Sequence, residues 1–204
     1  MNQEKQERIR QAKRKQALKT FIIWAGIAVL LVGFVWGIIA VLKYKNTNLP
    51  GTFYQEVGRE HVGLNDPLPV AYNSNPPSSG AHFSQQANWG IYDYEVNDRI
   101  FMHNLEHGGI WIAYRPGIPQ NAVDDLKAIV NEYSRAKLVM GPRSANDADI
   151  ALVSWSRVSK FSLAGGSLTY EQKNEIRSFY RSLRDHGPEL VPDNTPGIDP
   201  KSVQ

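Results

Sequence analysis

The sequence predicts an α+β protein in which one N-terminal transmembrane helix precedes a small two-layer α/β sandwich with a mostly antiparallel sheet. Three observations support this prediction. Residues 21–41 form an uncharged apolar run, residues 53–98 are rich in turn-forming residues, and residues 109–183 show strand and helix patterns in the order β-α-β-β-α. The turn-rich segment gives the sandwich an irregular N-terminal half.

The apolar run at residues 21–41 is long enough to cross a membrane. A helix of roughly 20 residues, rising about 1.5 Å per residue, spans a hydrocarbon core of about 30 Å. A cleaved signal peptide is the competing interpretation, but its apolar region is about 7–15 residues long and ends at a small-residue cleavage site. Here the run continues into Leu42-Lys43-Tyr44-Lys45, which favours a membrane anchor. Gly33 and Gly37 form a GxxxG pair, a weak indication of a homodimer in the lipid bilayer.

The distribution of charge predicts the orientation of this anchor. Residues 1–20 carry seven basic and two acidic side chains, whereas residues 46–204 carry 14 basic and 18 acidic ones. The positive-inside rule therefore places the N-terminus in the cytoplasm and the C-terminal domain outside it. A nucleic-acid-binding protein would keep its positive charge on the folded domain, so this class is excluded. The predicted parts are a cytoplasmic tail at 1–20, a transmembrane helix at 21–42, a linker at 43–52, the extracytoplasmic domain at 53–190 and a loose C-terminal tail at 191–204.

The regular half of the domain is predicted element by element. Apolar runs predict strands at residues 109–114, 137–140 and 150–158. Asn121 is the predicted N-cap of one helix, and Thr169 and Gln172 have the spacing of a capping box that begins another. Gly187-Pro188 is expected to end the second helix. We expect both helices on one face of the sheet.

Histidine carries most of the candidate chemistry. The chain has no cysteine, which excludes disulfides, thiolate metal sites and a cysteine nucleophile. His103 and His107 can bind one ion as a pair only on a helix, where side chains at i and i+4 lie about 5–6 Å apart. On a strand the same two residues would lie about 13 Å apart. Asn97 or Asp98 as N-cap and Gly108 as terminator support a short helix at this position.

The segment His103-Asn104-Leu105-Glu106-His107 also matches H-x-x-E-H, the inverted zinc-peptidase signature. In that chemistry two histidines bind zinc and the glutamate acts on a metal-bound water. A distant glutamate completes such a site, and Glu171, Glu175 and Glu189 are the candidates. A metal-dependent hydrolase with Glu106 as general base is therefore one alternative. Without a metal, Glu106 is either an acid at the end of the helix or a residue that orients an imidazole.

Several short motifs follow one another in a single order: Glu60-His61-Val62, Tyr72, the loop Asn75-Pro76-Pro77-Ser78-Ser79-Gly80-Ala81-His82, and His103-Asn104-Leu105-Glu106-His107-Gly108-Gly109. This combination resembles the bacterial membrane-protein family known as domain of unknown function 3105 (DUF3105). Its members share an N-terminal anchor, a PP-[ST]-S-G-x-H loop and an HNLEHG segment. The similarity extends from about Glu60 to Glu189, and Ala81 stands where the family usually has proline. The resemblance implies no established activity.

The resemblance identifies His61, His82, His103 and His107 as the motif histidines, and their chemistry predicts a transition-metal site. Three or four imidazoles suit copper or zinc. The remaining histidine, His186, is expected to be a surface residue beside a helix end. The sequence thus favours a membrane-anchored metal-binding protein, with a membrane protein as a partner, over an enzyme. The alternatives are the hydrolase and a non-metal interaction module whose histidines hydrogen-bond the irregular loops together.

Overall fold

The computed structural model describes residues 2–47 and 49–203, and the chain divides into two units between Leu49 and Pro50. The first unit is a single helix, α1 (Asn2–Thr47). The large apolar side chains described between Phe21 and Val41 are exposed, including those of Trp24 and Trp36. A helix with exposed apolar side chains on all sides needs lipid or another protein to cover it.

The segment Lys5–Val41 of α1 is long and apolar enough to cross a membrane. The predicted boundaries at residues 20/21 and 42/43, which separate the N-terminal tail, the transmembrane segment and the linker, both lie within α1. No feature of the helix, as far as the structure describes it, marks them, so they stay predictions. Residue 48, within the predicted linker, lies outside the described residues.

The second unit is the predicted α+β domain. Its elements in chain order are β1 (Thr52–Phe53), β2 (Gly90–Ile91), α2 (Asp98–Glu106), β3 (Ile110–Tyr114), α3 (Gln120–Glu132), β4 (Leu138–Pro142), β5 (Ile150–Ser154), β6 (Arg157–Phe161), α4 (Tyr170–Leu183) and a 3-10 turn at Pro200–Ser202. Within the described residues, six strands form one sheet in the order β1-β6-β5-β3-β4-β2. The pairings β1–β6, β6–β5 and β5–β3 are antiparallel, while β3–β4 and β4–β2 are parallel. The predicted α+β class with a mostly antiparallel sheet is confirmed.

Helices cover the central strands of this sheet. Trp111 of β3 and Val153 of β5 form a buried apolar cluster with Phe101 and Leu105 of α2. The residues that alternate with Trp111 and Val153 point to the opposite face. Helices α3 and α4 contact β4 and β5, and apolar side chains such as Leu126 of α3 and Ile176 of α4 are buried. Helix α2, which carries the candidate site, is therefore fixed to the centre of the sheet.

Two of the predicted element boundaries were wrong. The single strand predicted at residues 150–158 is a hairpin of β5 and β6, because Ser156 takes a left-handed backbone conformation (φ 61°) and turns the chain back. Helix α3 starts before the predicted cap Asn121, since the carbonyl of Pro119 already accepts hydrogen bonds from the amides of Ala122 (2.9 Å) and Val123 (3.3 Å). The capping box of Thr169 and Gln172 is confirmed.

The C-terminal segment differs from the loose tail that the sequence predicts. The amide of Ile198 donates to the carbonyl of Gln86 at 2.9 Å, and the amide of Asn88 donates to the carbonyl of Ile198 at 3.0 Å. Pro200 is buried. These contacts hold residues 195–200 against the loop that precedes β2.

Candidate metal centre

Helix α2 positions three of the candidate side chains. The side chain of Asn97 caps its first turn by accepting from the amide of Arg99 at 3.0 Å. Gly108 ends the helix with a φ of +77°, which lets its amide donate to the carbonyl of Leu105 at 2.9 Å. Both features were predicted. His103 lies in α2 and His107 is its C-cap residue, whose amide donates to the carbonyl of His103 at 3.2 Å, so the two rings share one side with centroids 4.5 Å apart.

The other two motif histidines come from loops that pair with each other. The amide of Val62 donates to the carbonyl of His82 at 2.8 Å, and the amide of His82 donates to the carbonyl of Glu60 at 2.9 Å. This isolated parallel bridge aligns His61 with His82 and brings their ring centroids to 5.1 Å. The hydroxyl of Tyr72 donates to the carbonyl of Ala81 at 2.6 Å and so stabilises the loop that carries His82. Two loops that precede α2 in the sequence thus place the imidazoles of His61 and His82 beside this helix.

These elements bring three imidazoles and one carboxylate together. The ring of His103 lies 5.1 Å from that of His61 and 5.2 Å from that of His82. Oε2 of Glu106 lies 3.0 Å from Nε2 of His82 and 3.7 Å from Nε2 of His61. One ligand atom from each of the four residues lies within 4.8 Å of all the others. His61 is about half exposed, whereas the other three are buried, so the cluster opens to solvent on the side of His61.

In the rings of His82 and His103, Nδ1 already makes a hydrogen bond to the backbone. Nδ1 of His82 contacts the carbonyl oxygen of Gly80 at 2.8 Å, and Nδ1 of His103 contacts the carbonyl oxygen of Phe83 at 2.8 Å. A carbonyl oxygen only accepts hydrogen bonds, so both Nδ1 atoms must carry the proton. In the neutral rings Nε2 then presents a lone pair. This arrangement of a backbone acceptor behind an imidazole is typical of histidines that bind metal.

His107 lies beside this cluster and belongs to a second group. Its Nε2 lies 3.5 Å from Oε2 of Glu189, and its Nδ1 lies 2.8 Å from Oε1 of Gln86. Ligand atoms of Glu106, His107 and Glu189 all lie within 4.8 Å of one another. The structure therefore brings His61, His82 and His103 together with Glu106, and places His107 with Glu106 and Glu189.

Burial keeps two of these histidines neutral. Burial lowers the pKa of His103 to about 4, although the hydrogen bond to Phe83 opposes this change. Burial also lowers the pKa of His107. The pKa of Glu106 is lowered even though burial opposes this, because its carboxylate contacts His82 and faces the other imidazoles. At neutral pH the neutral imidazole of His103 thus lies beside the carboxylate of Glu106, and these are the forms that bind metal ions.

The remaining predicted candidates lie outside the cluster. His186 is exposed, as expected, and its Nδ1 contacts the carbonyl of Arg184 at 3.3 Å. Glu175 accepts a hydrogen bond from Ser159 at 2.6 Å, and Glu171 is exposed in the first turn of α4. Neither belongs to the two ligand groups among the described residues. Gln86, which orients His107, was not predicted, because no motif in its sequence context points to a metal site.

The fold and the site define a class: an α+β domain with a histidine–glutamate cluster at one end of a short helix, preceded by a long apolar helix. The chain belongs to the family described as "Protein of unknown function (DUF3105)", whose model matches residues 64–194. The matched part contains His82, His103 and His107, whereas His61 lies just before it. Comparisons with curated proteins and with solved structures found no match.

Proposed function

We propose that this protein is a membrane-anchored, extracytoplasmic metal-binding protein whose ligands for copper or zinc are His61, His82, His103 and Glu106. The observation that carries the proposal is the contact between His82 and Glu106. Nε2 of His82 and Oε2 of Glu106 lie 3.0 Å apart. Nδ1 of His82 already donates to a carbonyl, so Nε2 faces the carboxylate across a cation, which is either a second ring proton or a metal ion that replaces it.

The ligand set suits copper or zinc. Nitrogen and oxygen ligands bind zinc at about 2.0–2.2 Å, which puts two ligand atoms about 3.3 Å apart in a tetrahedral site. The distances of 3.0 Å and 3.7 Å from Glu106 to His82 and His61 bracket that value. Imidazole binds both metals well, and the Irving–Williams order favours copper for equal ligands. Small side-chain movements would bring the four ligand atoms, now within 4.8 Å of one another, onto one ion.

The membrane anchor in this proposal is α1. Its apolar segment is followed by a domain with an acidic excess, and it is preceded by a basic tail. This distribution supports an N-terminus in the cytoplasm and a metal site on the other side of the membrane. A tethered ion-binding domain suits metal handling or sensing, or support of a neighbouring membrane protein.

The hydrolase alternative is less well supported by the position of Glu106. A general base needs a carboxylate that is directed at a metal-bound water. Here Oε2 of Glu106 contacts the ring of His82 and lies near that of His61. This position suits a ligand better than a base.

Elemental analysis of the full-length protein in detergent micelles tests the proposal. The protein is prepared without a histidine tag, stripped with a chelator, offered excess zinc or copper, and desalted. We expect at least one ion per chain, and at least one ion fewer in the His82→Gln/His103→Gln double variant. His186→Gln, at a surface histidine, is the matched control and should bind as the wild type does. A wild-type protein that stays empty, or a double variant that binds as His186→Gln does, would support the interaction module instead.

A further inference from the structure

A second set of ligand atoms lies directly beside the first. Glu106, His107 and Glu189 have ligand atoms within 4.8 Å of one another, and Glu106 also belongs to the group of His61, His82 and His103. His107 and Glu106 are buried, whereas the side chain of Glu189 is 61% exposed. The two groups therefore meet at one buried carboxylate.

The hydrogen bonds of Gln86 fix the protonation of His107. The side-chain amide nitrogen of Gln86 donates to the carbonyl of Thr195 at 3.0 Å and lies 3.4 Å from that of Pro196. Its oxygen must therefore face Nδ1 of His107, at 2.8 Å, and Nδ1 carries the proton. In the neutral ring, Nε2 of His107 then presents a lone pair towards Oε2 of Glu189 at 3.5 Å. The relationship of His82 to Glu106 is thus repeated at His107 and Glu189.

The backbone holds Glu189 in this position despite its exposed side chain. The amide of Glu189 donates to the carbonyl of Glu106 at 3.0 Å, and the amide of Asp185 donates to the carbonyl of Gly108 at 2.9 Å. Gly187 lies so close to the end of α2 that a Cβ atom there would be 2.2 Å from the carbonyl oxygen of Glu106. The segment 185–189 therefore packs directly on the end of α2, and its close approach requires glycine at position 187.

The buried side chain of Lys137 also joins the segment 185–189 to the end of α2. Nζ of Lys137 donates to the carbonyl of His107 at 3.0 Å and to Oδ1 of Asp185 at 2.5 Å. The charge of Lys137 is thereby paired with Asp185, and the carboxylates of Glu106 and Glu189 remain to face the imidazoles. An open pocket of about 260 Å³ beside His103 and His107, lined also by residues 195–198, has room for water or a small ligand.

We propose that the centre binds two metal ions, with Glu106 as the carboxylate shared between them. This inference rests on the proposed metal-binding function. One ion is bound by His61, His82 and His103, and the second by His107 and Glu189. A carboxylate can bridge through its two oxygens, and ions in such pairs lie about 3.5–4 Å apart. The second site has three protein ligands in total, so it leaves coordination positions open to the pocket for water or a small anionic ligand.

The metal stoichiometry of three full-length proteins in detergent tests this inference. We expect two ions per chain in the wild type, one in Glu189→Gln, and two in the control Glu171→Gln, which makes the same substitution at an exposed residue of α4. Glu189 is mostly exposed, so its substitution should leave the fold intact; matched circular dichroism spectra verify this. One ion in the wild type would overturn the second site but leave the proposed function standing. No ion would overturn both, and two ions in Glu189→Gln would overturn the assignment of Glu189.

Electron paramagnetic resonance tests whether the two ions share a ligand. In protein loaded with two equivalents of Cu²⁺, a carboxylate-bridged pair should show magnetic coupling, seen as a half-field signal or as loss of spin intensity below two spins per chain. The Glu189→Gln variant should give the uncoupled signal of a single Cu²⁺. Two uncoupled Cu²⁺ signals of full intensity in the wild type would contradict a shared Glu106.

Discussion

Nε2 of His82 lies 3.0 Å from Oε2 of Glu106 in a buried contact between residues 24 positions apart in the chain. His82 comes from an irregular loop and Glu106 from the last turn of α2. The proton on Nδ1 of His82 is held by the carbonyl of Gly80, so the contact joins two acceptors whenever the ring is neutral. This contact joins the loop of His82 to the helix that carries His103, and it is the basis for proposing Glu106 as a metal ligand.

The Glu106→Gln variant should separate metal binding from folding. A glutamine has the same shape, and its amide NH₂ can donate to Nε2 of His82, so we expect the metal-free protein to keep its stability within about 1 kcal/mol. The affinity for zinc or copper should fall at least tenfold, because a neutral amide oxygen is a weaker ligand than a carboxylate. Chelator competition measures the affinity, and urea unfolding measures the stability. Glu171→Gln is the control, and equal affinity of the two variants would exclude Glu106 as a ligand.

The metal-free protein should lose stability in mild acid. The pKa of His103 is lowered by burial from 6.5 to about 4 in the folded protein. Between these pH values the unfolded chain binds more protons than the folded one. The contribution of neutral His103 to the free energy of unfolding is therefore fully present above pH 6.5 and is lost as the pH falls towards 4. A single histidine of this kind contributes a slope of at most about 1.4 kcal/mol per pH unit.

Urea unfolding of the metal-free protein at pH 7 and pH 5 measures this effect. His103→Gln should reduce the difference between the two pH values, whereas His186→Gln should retain it, because His186 is exposed. An identical difference in all three proteins would show that His103 titrates normally when folded.

Gly187→Ala should displace the segment that carries Glu189. A Cβ atom at position 187 would lie 2.2 Å from the carbonyl oxygen of Glu106 and 2.3 Å from the amide nitrogen of Gly108. These are backbone atoms that cannot rotate away, so we expect a loss of about 1–3 kcal/mol of stability. The metal stoichiometry should fall by one. Thermal unfolding and elemental analysis measure the two effects.

Gly165→Ala is the matched control for this substitution, since no atom lies within 4 Å of a Cβ built there. Its stability and its metal content should equal those of the wild type. A Gly187→Ala protein as stable as Gly165→Ala would contradict the close packing of residues 185–189 on α2.

The orientation in the membrane can be measured with single cysteines, because the chain has none of its own. Gly165→Cys places a thiol in an exposed loop of the domain, and Gln6→Cys places one in the basic tail. A membrane-impermeant maleimide should label Gly165→Cys in cells whose cytoplasmic membrane is intact and accessible, and should label Gln6→Cys only after lysis. The reverse pattern would place the α+β domain in the cytoplasm and contradict the proposed orientation.

Local signals in the sequence predicted the parts of the site that one helix carries. The cap at Asn97, the left-handed Gly108 and the i, i+4 spacing of His103 and His107 depend on neighbouring residues, so their geometry follows from sequence. The capping box of α4 was predictable for the same reason.

The contacts that complete the site could not be predicted in this way. The pairing of His61 with His82 depends on hydrogen bonds between two irregular loops. Gln86 reaches residues 195–196, more than 100 positions further along the chain. The division of the histidines into two groups around Glu106 results from these long-range contacts, so the spacing of the histidines in the sequence could not predict it.

X-ray absorption spectroscopy of the full-length protein with one equivalent of zinc tests the central claim most directly. The account predicts a first shell of nitrogen and oxygen atoms at about 2.0–2.1 Å, with outer-shell scattering from three imidazoles. The His82→Gln variant should lose the scattering of one imidazole, while His186→Gln should match the wild type. A zinc shell of oxygen atoms without imidazole scattering, unchanged in His82→Gln, would contradict a metal site at the histidine–glutamate cluster.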